Sequence, residues 1–358
     1  MSKINFFHNF ELFKKHLNYK GSAEQPKRLD IVKLTYDKAK KLDIIQPHKI
    51  EPSSFDNSFK PYIEALHPQK HIFEIQNSEK IQTALFPLQA LTQTINKSIQ
   101  DNQISFYAMR PPGHHSFAGG VSKDDEFDGD NQVGEGYCYF NNVAFVSLLA
   151  HKEFNKKSIL IIDWDYHHGN GTQSVLFETA NEQIESRSTN FDTYFISLHN
   201  ASIYPYYSEI PDSDPSNFGT IPGKAANSNS YIKNIHLKRQ EFNDKNYLAK
   251  FYQTIDDAFD KFNPDLVLIS TGFDARNNDP VAKFRQGERL SDLAYYNMSK
   301  YIKSKLASKQ NNCPIISLPE GGNNVSDTGF SQTVLEHLKG LIKQKQLIFF
   351  YFYSYSLV

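Results

Sequence analysis

Two short segments of this sequence carry side chains that can bind a metal ion. Asp165 and His167 lie two residues apart just after the apolar run 158–162, and Asp274 follows a second apolar run, 265–271. Because alternate residues of an extended chain point the same way, Asp165 and His167 can bind one ion together. Asp274 would complete an Asp-His-Asp set with an open coordination position, as expected of a catalytic metal. Such ligands suit Zn²⁺ or Fe²⁺, and Mn²⁺ or Co²⁺ could substitute.

A pair of histidines, His114 and His115, follows Pro-Pro-Gly after the apolar run 104–109. Proline stiffens the chain and glycine lets it turn sharply, which suits two imidazoles aimed at one point. Beside a metal such a pair can serve as general base and electrostatic partner, whereas elsewhere it is typical of an exposed loop. Asp163 and Asn170 could accept the second ring N–H of these histidines, but the residues alone do not decide which partner each takes.

The elements that must position these residues alternate between apolar strands and helices. This pattern predicts an α/β fold with a central parallel sheet, helices on both faces and a site at the carboxyl ends of the strands. Strands are predicted at 104–109, 158–164, 193–199, 265–271 and 314–320, and helices at 141–150, 171–180, 244–262 and 291–307. Four of these strands precede the polar segments at 110–116, 163–171, 272–275 and 319–324, so we expect four strand ends to converge on one site.

The bulk properties exclude several classes of protein. Thirty-nine Lys plus Arg against 40 Asp plus Glu give a formal net charge of −1. Such a charge creates no overall electrostatic field that would attract nucleic acid or an anionic membrane. The two cysteines, Cys138 and Cys313, exclude a disulfide framework and suit a reducing compartment. Without a secretory signal or a membrane-spanning run, we expect a cytoplasmic protein. The absence of HExxH and GxxxxGK leaves metal-assisted hydrolysis as the favoured chemistry.

Neither repeats nor long linkers divide the chain, so we predict one domain over 1–358. The aromatic tail at 347–358 is too short to span a membrane. We expect it to pack on the main body, and a contact with a partner or a membrane surface is the alternative.

Six motifs in order, RPPGHHS, GYCYFNNVA, IIDWDYHHGNGTQ, SLH, STGFDARNNDP and LPEGGNN, resemble the zinc-dependent histone deacetylase and acetylpolyamine amidohydrolase superfamily. The likeness runs over residues 21–340 and is closer to the class II branch and its bacterial relatives. It implies an arginase-like α/β fold in which a narrow tunnel leads an acetylated amine to zinc.

The resemblance also implies roles for individual residues. His115 would be the general base, partnered by Asn170, and His114 the electrostatic neighbour, partnered by Asp163. The implied zinc ligands are Asp165, His167 and Asp274, and the implied tunnel residues are Gly136, Tyr137, Tyr204, Val281 and Gly322. A structural K⁺ is implied at Asp163, Ser197 and Leu198 with main-chain oxygens of Asp165 and His167.

One position, Asn323, departs from the family pattern. In active relatives the residue after the paired glycines is a Tyr whose hydroxyl stabilises the oxyanion, a donor commonly worth about 2.7–4 kcal/mol, or 10²–10³ in rate. Asn has an N–H₂ donor but is shorter than Tyr. Three interpretations stay open: a weak or altered deacylase, a catalytically silent protein that binds acyl-lysine, or an inactivating Tyr-to-Asn substitution in an active enzyme.

We therefore expect a metal-dependent amidohydrolase that removes acyl groups, chiefly acetyl, from lysine or polyamine amines and is impaired or altered by Asn323. No organic cofactor and no direct nucleic-acid partner are expected, and the chain could form a homo-oligomer. The acid-rich loop 123–130 could bind a polyamine or be a solvated loop. Near-neutral charge gives no reason to expect chromatin as the target.

Overall fold

A computed structural model describes most of the chain: residues 3–16, 24–79, 81–100, 102–117, 136–177, 191–200, 202–205, 230–276, 279, 289–326 and 328–342. Val281, the loop 123–130 and the tail 347–358, to which the sequence assigns roles, lie outside these residues. No helix in the described ranges combines the length and apolarity that a membrane crossing requires.

The described residues form one sheet of eight strands in the order β2-β1-β3-β8-β7-β4-β5-β6. Every neighbouring pair is parallel. The strands are β1 (Ile4–His8), β2 (Ile45–Lys49), β3 (Ile104–Ala108), β4 (Ser158–Asp163), β5 (Asp192–Asn200), β6 (Tyr231–Leu237), β7 (Leu266–Thr271) and β8 (Ile315–Pro319). The predicted parallel α/β sheet is therefore confirmed.

Helices cover both faces of this sheet. They are α1 (Phe10–Phe13), α2 (Arg28–Lys41), α3 (Lys60–Leu66), α4 (Gln69–Gln76), α5 (Phe86–Ile99), α6 (Asn142–Phe154), α7 (Asn170–Phe177), α8 (Asp244–Lys261), α9 (Asp292–Ser308) and α10 (Gly329–Leu341). In one helical layer α10 packs on α2 and α9, and α9 also packs on α8. In the other layer α6 packs on α3, α5 and α7. Side chains of Asn141, Asn243 and Ser291 accept backbone N–H groups at the starts of α6, α8 and α9, which fixes where these helices begin.

The four central strands, β3, β8, β7 and β4, are adjacent in the sheet and buried along nearly their whole length. Burial on both faces explains their near-continuous apolar sequences, which made them predictable. Because parallel neighbours end at the same edge, the four polar segments that follow these strands share that edge.

A buried ion pair ties the segment before α2 to the end of β3. Arg110 is fully buried, and its Nε donates to Glu24 Oε1 at 2.7 Å while its Nη2 donates to Glu24 Oε2. Its Nη1 donates to the carbonyl of His16 at 2.6 Å. This pairing holds the residue just before the Pro-Pro-Gly turn, so it positions the segment that carries the two histidines.

Glu24→Gln should lower the free energy of unfolding by about 3–5 kcal/mol, because it leaves the buried Arg110 guanidinium without its countercharge. Urea denaturation measures the change. The matched control is Asp43→Asn, which removes the charge of the exposed carboxylate that pairs with Lys3. Asp43 has a left-handed backbone conformation, which Asn also tolerates. This variant should lower the free energy of unfolding by about 1 kcal/mol or less. Equal costs for the two variants would contradict a structural role for the buried pair.

Candidate metal centre and active site

The structure brings the three predicted metal ligands together at the carboxyl ends of β4 and β7. Asp165, His167 and Asp274 are all buried, and each offers a ligand atom within 4.8 Å of the others. His167 Nδ1 lies 3.0 Å from Asp165 Oδ1 and 2.9 Å from Asp274 Oδ2. This is the one such group of metal-binding side chains that the described residues contain.

Backbone N–H groups orient the two carboxylates. Asp165 Oδ1 accepts the N–H of His167 at 2.9 Å, and Asp165 Oδ2 accepts that of Gly321 at 2.7 Å. Asp274 Oδ1 accepts the N–H of Tyr166 at 2.9 Å. Gly321 must be glycine, because a Cβ there would lie 2.6 Å from an oxygen of each carboxylate. The ligand positions are thus fixed by the chain itself.

The electrostatics of this group fit a divalent cation. Burial and the neighbouring Asp165 charge raise the pKa of Asp274 to about 7. Burial would lower the pKa of His167, but its hydrogen bonds to Asp165 and Asp274 raise it to about 10. The His167 proton and the shared proton of Asp274 therefore compensate the buried charge where a cation could do so instead. Two carboxylates and one imidazole, buried and already oriented, are a suitable ligand set for zinc or a similar ion.

The histidine pair lies beside the metal-binding group. The rings of His114 and His115 are 4.0 Å apart between centroids, and the His115 ring is 6.0 Å from that of His167. His114 Nδ1 donates to Asp163 Oδ2 at 3.0 Å, and His115 Nδ1 donates to Asn170 Oδ1 at 2.7 Å. These are the two partners that the resemblance implies, an assignment that the residues alone had left open.

The two histidines differ in charge. Burial would lower the pKa of His114, but the charges of Asp163, Asp165 and Glu320 raise it to about 10. Burial and the positive charge of His114 hold the pKa of His115 well below its ordinary value. His115 is therefore a neutral imidazole whose Nδ1 proton is committed to Asn170, so that its Nε2 can accept a proton.

A cavity connects these groups with the predicted tunnel walls. Gly136, Tyr137 and Tyr204 line it, and the Tyr204 ring packs edge-on against His115 at 5.2 Å between centroids. Gly322 is not among the lining residues. The other lining residues are Glu24, Arg28, Pro112, His114, His115, Asp165, His167, Asp274, Glu320, Gly321 and Asn323.

Two residues at this edge of the sheet went without a role in the sequence analysis. Glu320, fully buried, accepts the N–H groups of Gly113 and His114 at 2.7 and 3.0 Å and the Ser270 hydroxyl at 3.3 Å. Burial raises its pKa to about 7. Arg28 donates from Nη2 to the Gly321 carbonyl at 3.0 Å. Glu320 was visible in the sequence, but its partners lie 207, 206 and 50 positions away along the chain.

Asn323 also lines the cavity. Its backbone N–H donates to Asp279 Oδ2 at 2.7 Å, and the residue is 7% exposed. The side-chain oxygen Oδ1 is buried without a hydrogen-bond partner among the described residues.

The residues implied for potassium come together on two neighbouring strands. Asp163 of β4 and Ser197 of β5 are register partners, and Leu198 follows Ser197. Asp163 Oδ1 accepts the N–H of Asp165 at 3.0 Å. All three side chains are fully buried. Their side-chain contacts do not themselves identify a K⁺ ion, so the potassium site stays a prediction.

Glu320→Ala should lower the free energy of unfolding by about 2–6 kcal/mol, because it leaves two buried N–H groups of the histidine turn unpaired at roughly 1–3 kcal/mol each. Glu320→Gln is the matched control, since its carbonyl oxygen can still accept from Gly113 and His114. Urea denaturation of the two variants measures the difference. A Gln variant as unstable as the Ala variant would show that the charge, rather than the accepted hydrogen bonds, holds the turn.

The sequence is similar to that of known proteins. Residues 22–341 match the histone deacetylase domain family. The chain is 31% identical over 232 residues to histone deacetylase 6 of Caenorhabditis elegans, covering 64% of this chain and 20% of that protein. It is 30% identical over 228 residues to polyamine deacetylase HDAC10 of Danio rerio, covering 63% of this chain and 28% of that protein. The chain thus matches less than a third of each relative's length.

A solved structure shares the fold. The crystal structure of the HDA15 HD domain superposes with a TM-score of 0.68 at 20% identity, covering 96% of this chain and 91% of that one. The family match spans most of the 358 residues and includes each segment that builds the metal-binding group and the histidine pair. The chain therefore belongs to the histone deacetylase family.

Proposed function

We propose that this protein is a metal-dependent amidohydrolase that removes acyl groups from lysine side chains or polyamines. The observation that carries the proposal is the neutral His115, oriented by Asn170, in the same cavity as three oriented metal ligands. The relatives named for histone and polyamine deacetylation support an acylated amine as substrate. Residues Tyr137 and Tyr204 supply aromatic walls suited to an aminoalkyl chain.

Asp165, His167 and Asp274 would hold the cation, with Zn²⁺ the expected ion and Fe²⁺, Co²⁺ or Mn²⁺ as substitutes. When bound, it would polarise the amide carbonyl and lower the pKa of a water molecule. His115 would take the proton of the attacking water at Nε2 and later deliver it to the departing amine nitrogen. His114, kept protonated beside Asp163, would keep His115 neutral through its positive charge.

We further propose that a structural K⁺ lies at Asp163, Ser197 and Leu198, with main-chain oxygens of Asp165 and His167. The pairing of β4 with β5 supports this, because it sets Asp163 opposite Ser197. The ion would add positive charge behind the metal ligands, where Asp163 and Asp165 are both buried.

Asn323 is the reason to expect impaired or altered turnover. A Tyr at this position could donate to the oxyanion that forms when water attacks the amide carbon, and Asn is too short to take over that contact directly. Loss of one such donor costs about 10²–10³ in rate. The same feature favours the second candidate function, a catalytically silent protein that binds acyl-lysine.

His115→Ala should lower the rate of acyl release by about 10²–10⁴, because it removes the general base.

Asn323→Tyr should raise turnover of acetyl-lysine by about 10² or more, because it restores an oxyanion donor. The measurement is acetate release by zinc-loaded protein from acetyl-lysine peptide and from acetylspermidine, and trifluoroacetate release from trifluoroacetyl-lysine peptide in parallel.

His151→Ala is the matched control, since this histidine lies on α6 and bonds the Lys156 carbonyl outside the cavity. It should leave the rate unchanged. Turnover that is independent of His115 would contradict the proposed mechanism. No turnover by any variant, with acyl peptide still bound, would favour the silent binding protein.

A further inference from the structure

The position of Asn323 is held firmly at the metal end of the cavity. Its backbone N–H is bound to the buried Asp279 at 2.7 Å. The preceding Gly322 has φ 108°, and a Cβ there would approach Phe273 at 3.0 Å and Phe330 at 3.1 Å. Two residues earlier, the N–H of Gly321 is bound to the metal ligand Asp165. Asn323 therefore has little freedom to move away from the site.

Its side chain is polar, buried and incompletely paired. The residue is 7% exposed, and its Oδ1 is buried and has no hydrogen-bond partner among the described residues. A buried acceptor without a donor is unfavourable, so a ligand that supplies the donor would be favoured. Asn323 lines the cavity that also contains Asp165, His167 and Asp274, where the inner end of such a ligand would lie.

The location limits which part of a substrate can meet Asn323. If the protein hydrolyses amides as proposed, the scissile carbonyl must lie at the metal ligands, so the acyl group lies at this end of the cavity. Nδ1 of His115 and both carboxylate oxygens of Asp165 already have partners there, and Nε2 of His115 is assigned to the attacking water. An acetyl group offers only a methyl, whereas a hydroxyl can both donate to and accept from a carboxamide. Replacing a phenol by a carboxamide also leaves room for a larger acyl group.

We propose that Asn323 selects short acyl groups that carry a hydroxyl on the first or second carbon beyond the carbonyl, so that 2- or 3-hydroxyacyl amides are preferred substrates. This rests on the proposed amidohydrolase function. A site that hydrogen-bonds a substrate hydroxyl rejects the analogue without it, because its polar group is then left unpaired. We expect a preference of about tenfold to a hundredfold in kcat/KM for the hydroxylated member of a matched pair.

The test compares two pairs of lysine peptides, propionyl with 2-hydroxypropionyl and butyryl with 3-hydroxybutyryl, on zinc-loaded protein. Asn323→Leu keeps a similar side-chain size without hydrogen bonding, and Asn323→Ala makes more room. We expect the unmodified protein to prefer the hydroxylated member of at least one pair, and both variants to lose that preference. Thermal unfolding of each variant checks that it is folded.

Binding provides a readout that is independent of turnover. Fluorescence anisotropy measures the affinity of the same peptides for His115→Ala and for His115→Ala/Asn323→Leu. Tighter binding of the hydroxylated member only where Asn323 is present supports the inference, even if no peptide is hydrolysed. Failure of hydrolysis alone would therefore count against the proposed function and not against the role of Asn323.

Two outcomes would overturn the inference. One is that protein with Asn323 hydrolyses and binds the hydroxylated and unhydroxylated peptides of both pairs equally well. The other is a hydroxyl preference that persists in both Asn323 variants, which would assign the selection to another residue.

Discussion

Four carboxylates, Asp163, Asp165, Asp274 and Glu320, are each 1% exposed or less at one edge of the sheet, and their neutralisation is the constraint on which the site depends. Removing an ion from water costs several kcal/mol even after the protein relaxes. The strand ends and turns offset this cost with backbone N–H donors, and His114 and His167 add positive charge. A divalent cation bound by Asp165, His167 and Asp274 would take the place of the His167 proton and supply the remaining positive charge.

The same constraint explains the glycine-rich segments that carry the chemistry. Gly321 lets its N–H approach Asp165, since a Cβ at that position would collide with the metal ligands. Gly136 plays a related role, because its Cβ would lie 2.3 Å from the His115 ring. Close backbone approach therefore fixes the positions of both the ligands and the base.

Much of this arrangement was predictable from sequence. The central strands β3, β4, β7 and β8 are apolar on both faces and could be recognised, together with the polar residues that follow them. The strands β1, β2 and β6 were missed. Strand β2 contains Pro47 and β6 is only half-buried, so neither has an apolar run. Strand β1 is mostly apolar but only five residues long, and it was not recognised. Local sequence patterns do not predict contacts between distant parts of the chain. The strand order and the partners of Glu320, Arg28 and Asp279 depend on such contacts and could not be predicted. The pairing of His115 with Asn170 was implied by the family resemblance, whereas the residues alone had left it open.

The most direct test of the account is anomalous X-ray diffraction at the zinc absorption edge from crystals of zinc-loaded protein. The account predicts one strong anomalous peak bounded by a carboxylate oxygen of Asp165, a ring nitrogen of His167 and a carboxylate oxygen of Asp274, within reach of His115. A zinc peak bounded by other residues would contradict this prediction. So would a fully occupied zinc site from which Asp165 and Asp274 point away.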